Sequence, residues 1–212
     1  MRFLLLFLFV VPVFGQDDDS EHRVWHFWRN ECAGCHGQDG KGVDAIKSPA
    51  IAGLPDYYVM QQIRKYRLGL RGAEKSEENV YFMHREAEAL GDELFKDLAR
   101  IISGMEPHRT LHSTIGDIER GKRLYQKHCT DCHGPAAAGD AAKEAPPLHG
   151  FQDWYLVEQI ERFKRGRRKS DPLNLESVKM HLMARSLWRR SDINALAAFI
   201  TSNLDGQTDA DP

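Results

Sequence analysis

Four cysteines and two histidines stand in this sequence at a spacing that can do chemistry. Cys32-Ala33-Gly34-Cys35-His36 recurs as Cys129-Thr130-Asp131-Cys132-His133, and the two stretches contain every cysteine of the chain. Two thiols one helical turn apart, with a histidine directly after the second, form the attachment pattern of c-type haem. Each sulfur adds to one porphyrin vinyl group, and the next imidazole then lies under the iron. A plain disulfide, a thioredoxin-like redox pair or a zinc site built from two CxxC pairs would use the same cysteines. None of these requires a histidine directly after both second cysteines.

The motif sits inside a longer duplication. The 97-residue interval from Cys32 to Cys129 holds without a gap for about sixty residues. It pairs Pro49 with Pro146, Gly53 with Gly150, Asp56 with Asp153, Tyr58 with Tyr155 and Gln62 with Gln159. Further on it pairs Gly69 with Gly166, Arg71 with Arg168, Met83 with Met180, His84 with His181 and Leu90 with Leu187. An ungapped repeat built around the motif predicts two homologous haem domains.

The elements that must position these residues read as helices. A helix over 23–31 carries Trp25, Phe27 and Trp28 into the first motif, and 121–128 is its counterpart. Glycine-rich loops follow each motif. Helices are expected over 56–68 and 153–165, capped by Asp56 and Asp153 and stopped by Gly69 and Gly166. Their apolar stripes, Val59, Ile63, Tyr66 and Leu156, Ile160, Phe163, follow i, i+4, i+7 spacing. Polar loops are expected over 70–82 and 167–179, leading to Met83 and Met180, with a closing helix after each. No stretch reads as a strand of convincing length.

The amino terminus has Arg2, an apolar run over 3–14 and Gly15 before an acidic stretch. That is the layout of a secretory signal peptide, with cleavage expected after Gly15, and the run is too short to span a bilayer. The expected organisation is therefore a signal peptide over 1–15, an N-terminal domain over 16–103, a linker over 104–116 and a C-terminal domain over 117–212. The segment 17–21 reads as a mobile acidic leader. A domain of about 97 residues has a marginal core, and a bonded haem would staple it. A net charge of −2 gives no sign of nucleic-acid binding.

On these residues each unit resembles a class I cytochrome c, and the pair resembles the dihaem cytochrome c4 family. Four signals carry the resemblance, in order. They are CxxCHG, the Pro-x-Ile/Leu-x-Gly loop, the Tyr-Tyr or Trp-Tyr helix ending in Gly-x-Arg, and Met-x-x-x-Ala-x-x-Leu. The resemblance implies an all-α fold of two tandem domains, each wrapped around one covalent haem c. It implies thioether bonds to Cys32, Cys35, Cys129 and Cys132. It further implies iron ligation by His36 and Met83 in one unit and by His133 and Met180 in the other. His84 and His181, directly after both methionines, leave bis-histidine ligation open. Met60, Met105 and Met183 have no counterpart in the repeat and read as core or linker residues. Pro49 and Pro146 match the loop whose proline carbonyl accepts from the proximal imidazole in that family. Tyr58, Tyr155, Arg71 and Arg168 are at positions to reach haem propionates or simply to pack.

The resemblance implies a periplasmic electron carrier rather than an enzyme. The redox partners expected are a quinol–cytochrome c reductase, a terminal oxidase or a periplasmic dehydrogenase. No transmembrane segment is expected after cleavage, and peripheral membrane association is compatible with this. A cytochrome subunit of an oxidoreductase complex is the alternative, and a dihaem peroxidase a weaker one, since no acid–base constellation accompanies the motifs. The units differ in charge: 16–103 carries 12 basic and 16 acidic residues, 104–212 carries 16 and 15. The basic run Arg162, Lys164, Arg165, Arg167, Arg168 and Lys169 reads either as a solvated helix end or as a surface steering an acidic partner.

Overall fold

The computed structural model describes residues 17–108, 116–168 and 175–202. The expected signal peptide, Lys169, most of the linker and the last ten residues lie outside them. The first domain runs α1 (Asp17–Phe27), a π-helical turn (Trp28–Cys32), α2 (Ala33–His36), α3 (Asp56–Arg67), α4 (Glu78–Ala89) and α5 (Asp92–Gly104). The second repeats the order with α6 (Ile118–His128), α7 (Thr130–His133), α8 (Asp153–Lys164), α9 (Leu175–Ser186) and α10 (Arg190–Ser202). Among the described residues there is no sheet. Two isolated bridges, Val43 to Ser48 and Asp140 to Ala145, close the loops after the motifs.

Several boundaries differ from expectation for identifiable reasons. The acidic segment 17–21 continues α1 instead of forming a loose leader. Asp56 and Asp153 are the first helical residues, and the caps are Pro55 and Gln152. Proline suits this site because it has no amide proton to satisfy. Met83 and Met180 lie inside α4 and α9, not at the end of long loops. Val80, Tyr81 and Phe82 are not fully buried and only the Ala87 face is, so no periodic apolar stripe marks the helix in the sequence. Gly69 and Gly166 do stop α3 and α8, at φ +64° and +68°, where a side chain would be strained.

In each domain the first and last helices cross. In the second domain Gly121 of α6 lies so close to α10 that a Cβ would stand 1.9 Å from the Ala195 carbonyl oxygen. Ala195 and Phe199 of α10 are buried at that contact, where the Phe199 ring lies 5.4 Å from that of Tyr125 on α6. The first domain uses Val24 of α1 and Leu98, Ala99 and Ile102 of α5. A buried aromatic then ties the entry helix to the loop after the motif. Trp28 Nε1 donates to the Gln38 carbonyl at 3.1 Å, and its counterpart Tyr125 donates to the Gly134 carbonyl at 2.7 Å.

The two domains meet through an approximately two-fold set of polar contacts. Arg71 donates to Tyr155 Oη at 2.7 Å and to Gln159 Oε1 at 3.0 Å. Arg168 returns the pattern to Tyr58 Oη at 3.0 Å and Gln62 Oε1 at 2.8 Å. Each guanidinium stacks on an aromatic ring of its own domain, Tyr66 at 4.6 Å and Phe163 at 4.4 Å. Around this centre, Tyr57 donates to the Ala145 carbonyl and Trp154 to Asp44. Glu77 of the first domain receives both Arg162 and Arg167 of the second.

These contacts correct the steering idea. Arg162, Arg167 and Arg168 of the basic run are engaged with the first domain and do not form a free docking surface.

Candidate haem sites

Each CxxCH motif occupies the end of one helix and a short following helix, so the cysteines and the histidine fall on neighbouring faces. The rings of His36 and His133 are buried, at 5% and 8% exposure. His36 Nδ1 donates to the Pro49 carbonyl at 2.9 Å, and His133 Nδ1 donates to the Pro146 carbonyl at the same distance. Only one of two ring nitrogens is used this way, so Nε2 remains with its lone pair. Burial lowers the pKa of both rings, and the carbonyl bonds offset this only in part. A neutral imidazole with a fixed tautomer is the form that binds a metal.

The thiols have a parallel asymmetry. Burial pushes Cys32 and Cys129 up to about 12, with nearby Glu86 adding to the effect at Cys32. Cys35 is exposed and Cys132 half-buried.

Opposite the second motif is a cavity of about 290 Å³. Cys129, Cys132 and His133 line it together with Met180 and Met183 of α9. Its walls are apolar, with Phe151, Leu156, Ile160 and Leu196 among them. Tyr58, Gln62 and Lys65 of the first domain also reach it, beside Arg168.

Met183, expected to be an ordinary core residue, thus shares this cavity with Met180. Its i+3 spacing from Met180 puts both side chains on one face of α9. In the first domain Met83 packs half-buried against the core, as do Met60 and Met105.

His84 and His181 face elsewhere. His84 Nδ1 donates to the Tyr66 carbonyl and His181 Nδ1 to the Phe163 carbonyl, both at 2.6 Å. Each ties the methionine-bearing helix to the end of α3 or α8.

The residues fit a haem on two grounds. In the second domain the thiols, imidazole and thioethers line one apolar space. The polar rim also calls for an anion. Arg71 and Arg168 are buried, and among the described residues their partners are neutral oxygens. Arg71 Nε is buried with no hydrogen-bond partner among the described residues. A buried cation left with neutral acceptors is costly, and haem propionates are anions of the required kind. When bound, haem supplies one-electron Fe(III)/Fe(II) chemistry at a shielded iron.

Two helical domains related by a repeat, each with a thioether-forming motif and a proline-oriented histidine, define a dihaem c-type cytochrome. The Cytochrome c family model matches residues 26–104 and again 118–203, and the chain belongs to that family. It is 33% identical over 156 residues to the thiosulfate dehydrogenase electron acceptor of Stutzerimonas stutzeri (strain A1501), covering 68% of each chain. It is 32% identical over 163 residues to the thiosulfate dehydrogenase electron acceptor of Thiomonas intermedia (strain K12), covering 72% of this chain and 70% of that one.

Among solved structures, reduced cytochrome c4 from Pseudomonas stutzeri matches with a TM-score of 0.65 at 23% identity, over 88% of this chain and 98% of that one. The thiosulfate dehydrogenase TsdBA from Marichromatium purpuratum matches with a TM-score of 0.67 at 25% identity. There the match covers 85% of this chain and 40% of the other. The protein is a dihaem cytochrome that carries electrons, with haem c as its cofactor. No described helix is long and apolar enough to cross a membrane.

Proposed function

We propose that this cytochrome receives single electrons from a periplasmic dehydrogenase of the kind that oxidises thiosulfate, passes them on, and transforms no substrate of its own. In this reading His36 with Met83, and His133 with Met180, complete the two iron sites. Cys32, Cys35, Cys129 and Cys132 bond the two haems.

The observation that carries the reading is the second cavity. His133 and Met180 line it together, while Tyr58, Gln62 and Lys65 of the first domain complete its edge. An iron held by both a histidine and a methionine suits electron transfer, whereas peroxide chemistry needs a displaceable ligand position beside acid–base groups. A shared edge between domains suits passage of an electron from one haem to the other. The two curated relatives, each described as an electron acceptor of thiosulfate dehydrogenase, support the choice of donor. Periplasmic location is supported by the signal-peptide layout read in the sequence of 1–15 and by the attachment of c-type haem outside the cytoplasm.

The likeness to part of the larger TsdBA chain favours a second reading, a carrier held permanently by its dehydrogenase. The test is direct. Ferric holoprotein mixed with a thiosulfate dehydrogenase and thiosulfate should be reduced at both haems. Reduction by ascorbate but not by the dehydrogenase would overturn the choice of donor. Co-elution of carrier and dehydrogenase on sizing would select the permanent complex.

A further inference from the structure

The domains differ at one corner. Leu90 and Leu187 are equivalent and buried. The first domain passes from that leucine to α5 through Gly91 alone, while the second passes to α10 through Trp188 and Arg189. The additional residue allows Trp188 to stand out, at 87% exposure. Its backbone is held, because Lys164 Nζ donates to the Trp188 carbonyl at 3.4 Å. Leu182, on the helix just before it, is 60% exposed, and Leu175 at the start of that helix 65%. Their counterparts in the first domain are Arg85 and Glu78.

The charges at this corner invert as well. Around Trp188 stand Arg185, Arg189 and Arg190, all exposed, with Lys164 and Arg165 at the end of α8. The corresponding corner of the first domain carries Glu88, Asp92 and Glu93. Helix chemistry explains the acidic corner: Asp92 and Glu93 fall in the first turn of α5, where the dipole favours anions. It does not explain the basic one. Arg189 and Arg190 stand at the start of α10, where cations oppose the same dipole. Glu161 partly balances the group, meeting Arg165 at 3.2 Å and Arg190 at 3.5 Å, and Asp192 is taken by Arg120.

We propose that the Trp188 corner is the docking surface for an acidic redox protein, with Trp188 as its apolar anchor and Arg185, Arg189 and Arg190 as its charged rim. Tryptophan and arginine are the residue types that dominate binding energy at protein interfaces. The rim charge selects a carboxylate-rich partner and raises the encounter rate. The location suits electron exchange: Trp188 closely follows α9, the helix that brings Met180 and Met183 to the second cavity. An anionic membrane would also accept arginines and a tryptophan. The protein partner is favoured because the apolar part is a small patch on a helix corner, not the long amphipathic face that lies in a bilayer interface.

The proposal rests on the electron-carrier reading but not on the identity of the donor. The experiment is stopped-flow reduction of the ferric holoprotein by flavodoxin hydroquinone, an acidic redox protein used as probe. Ascorbate reduction and the visible spectrum serve as controls for haem content and folding. Arg189→Glu with Arg190→Glu should slow flavodoxin about tenfold at low ionic strength, and much less at high salt. Trp188→Ala, which alters no charge, should slow it about threefold or more at every salt concentration. Lys122→Glu with Arg123→Glu, the same charge change on the exposed face of α6, should have less than about a twofold effect.

Equal losses in the two charge-reversed pairs, or an unchanged rate in Trp188→Ala, would overturn the surface. So would sedimentation with vesicles of anionic phospholipid that Trp188→Ala abolishes while flavodoxin rates stay unchanged. If the corner controls flavodoxin but thiosulfate dehydrogenase fails to reduce the protein, the surface stands and only the proposed donor falls.

Discussion

The guanidinium of Arg71 crosses from the first domain to the phenol oxygen of Tyr155 in the second, at 2.7 Å. Arg71 also holds Gln62 and Gln159, one from each domain, so a single side chain links both halves of the interface. Its surroundings are buried enough to push the neighbouring Tyr66 phenol up to about 12, which keeps that phenol neutral.

Arg71→Ala should therefore destabilise the protein by about 3 kcal/mol, since charge-assisted buried bonds are lost and their acceptors left without a donor. Urea unfolding of the holoprotein checks this. The substitution should also separate the unfolding of the two domains, giving two haem-absorbance transitions in place of one.

A second prediction concerns the histidines that follow the methionines. His84 and His181 already give their Nδ1 protons to the ends of α3 and α8. His84→Ala and His181→Ala should keep the methionine–iron charge-transfer band and lower stability by about 1 kcal/mol, the worth of one hydrogen bond. Met83→His or Met180→His should lower the potential of one haem and leave the other nearly unchanged, because a thioether favours ferrous iron. Loss of the band in His84→Ala with retention in Met83→Ala would reverse the assignment.

A third concerns Gly121. A Cβ there meets the backbone of α10, which no side-chain rotation relieves. Gly121→Ala should cost about 3 kcal/mol by forcing α6 and α10 apart. Thermal unfolding should show a single haem-absorbance transition at a lower midpoint, since the Arg71 and Arg168 contacts still couple the two domains.

Much of this was legible in the chain. The repeat of CxxCH with a methionine at a constant interval implied two haem domains, and the family match over both units agrees. Pro49 and Pro146 are local features, thirteen residues from their histidines, and both carbonyls do accept the imidazole proton. What stayed hidden depends on the second domain lying against the first. Arg162, Arg167 and Arg168 look like a solvated helix end until Glu77, Tyr58 and Gln62 are seen opposite them, more than 80 residues away. The helical setting of Met83 and Met180 was obscured because α4 and α9 bury only a narrow face, which leaves weak periodicity. Trp188 is unremarked in the sequence because tryptophan is ordinarily a core residue, and only the structure shows it exposed.

The most direct test of the account is a spectroelectrochemical titration of the holoprotein, repeated under carbon monoxide. Two closed iron sites predict two one-electron steps, low-spin spectra in both oxidation states, and no change of the ferrous spectrum with carbon monoxide. A high-spin haem, or a ferrous haem that binds carbon monoxide at once, would contradict the carrier and point to an enzyme with an open iron.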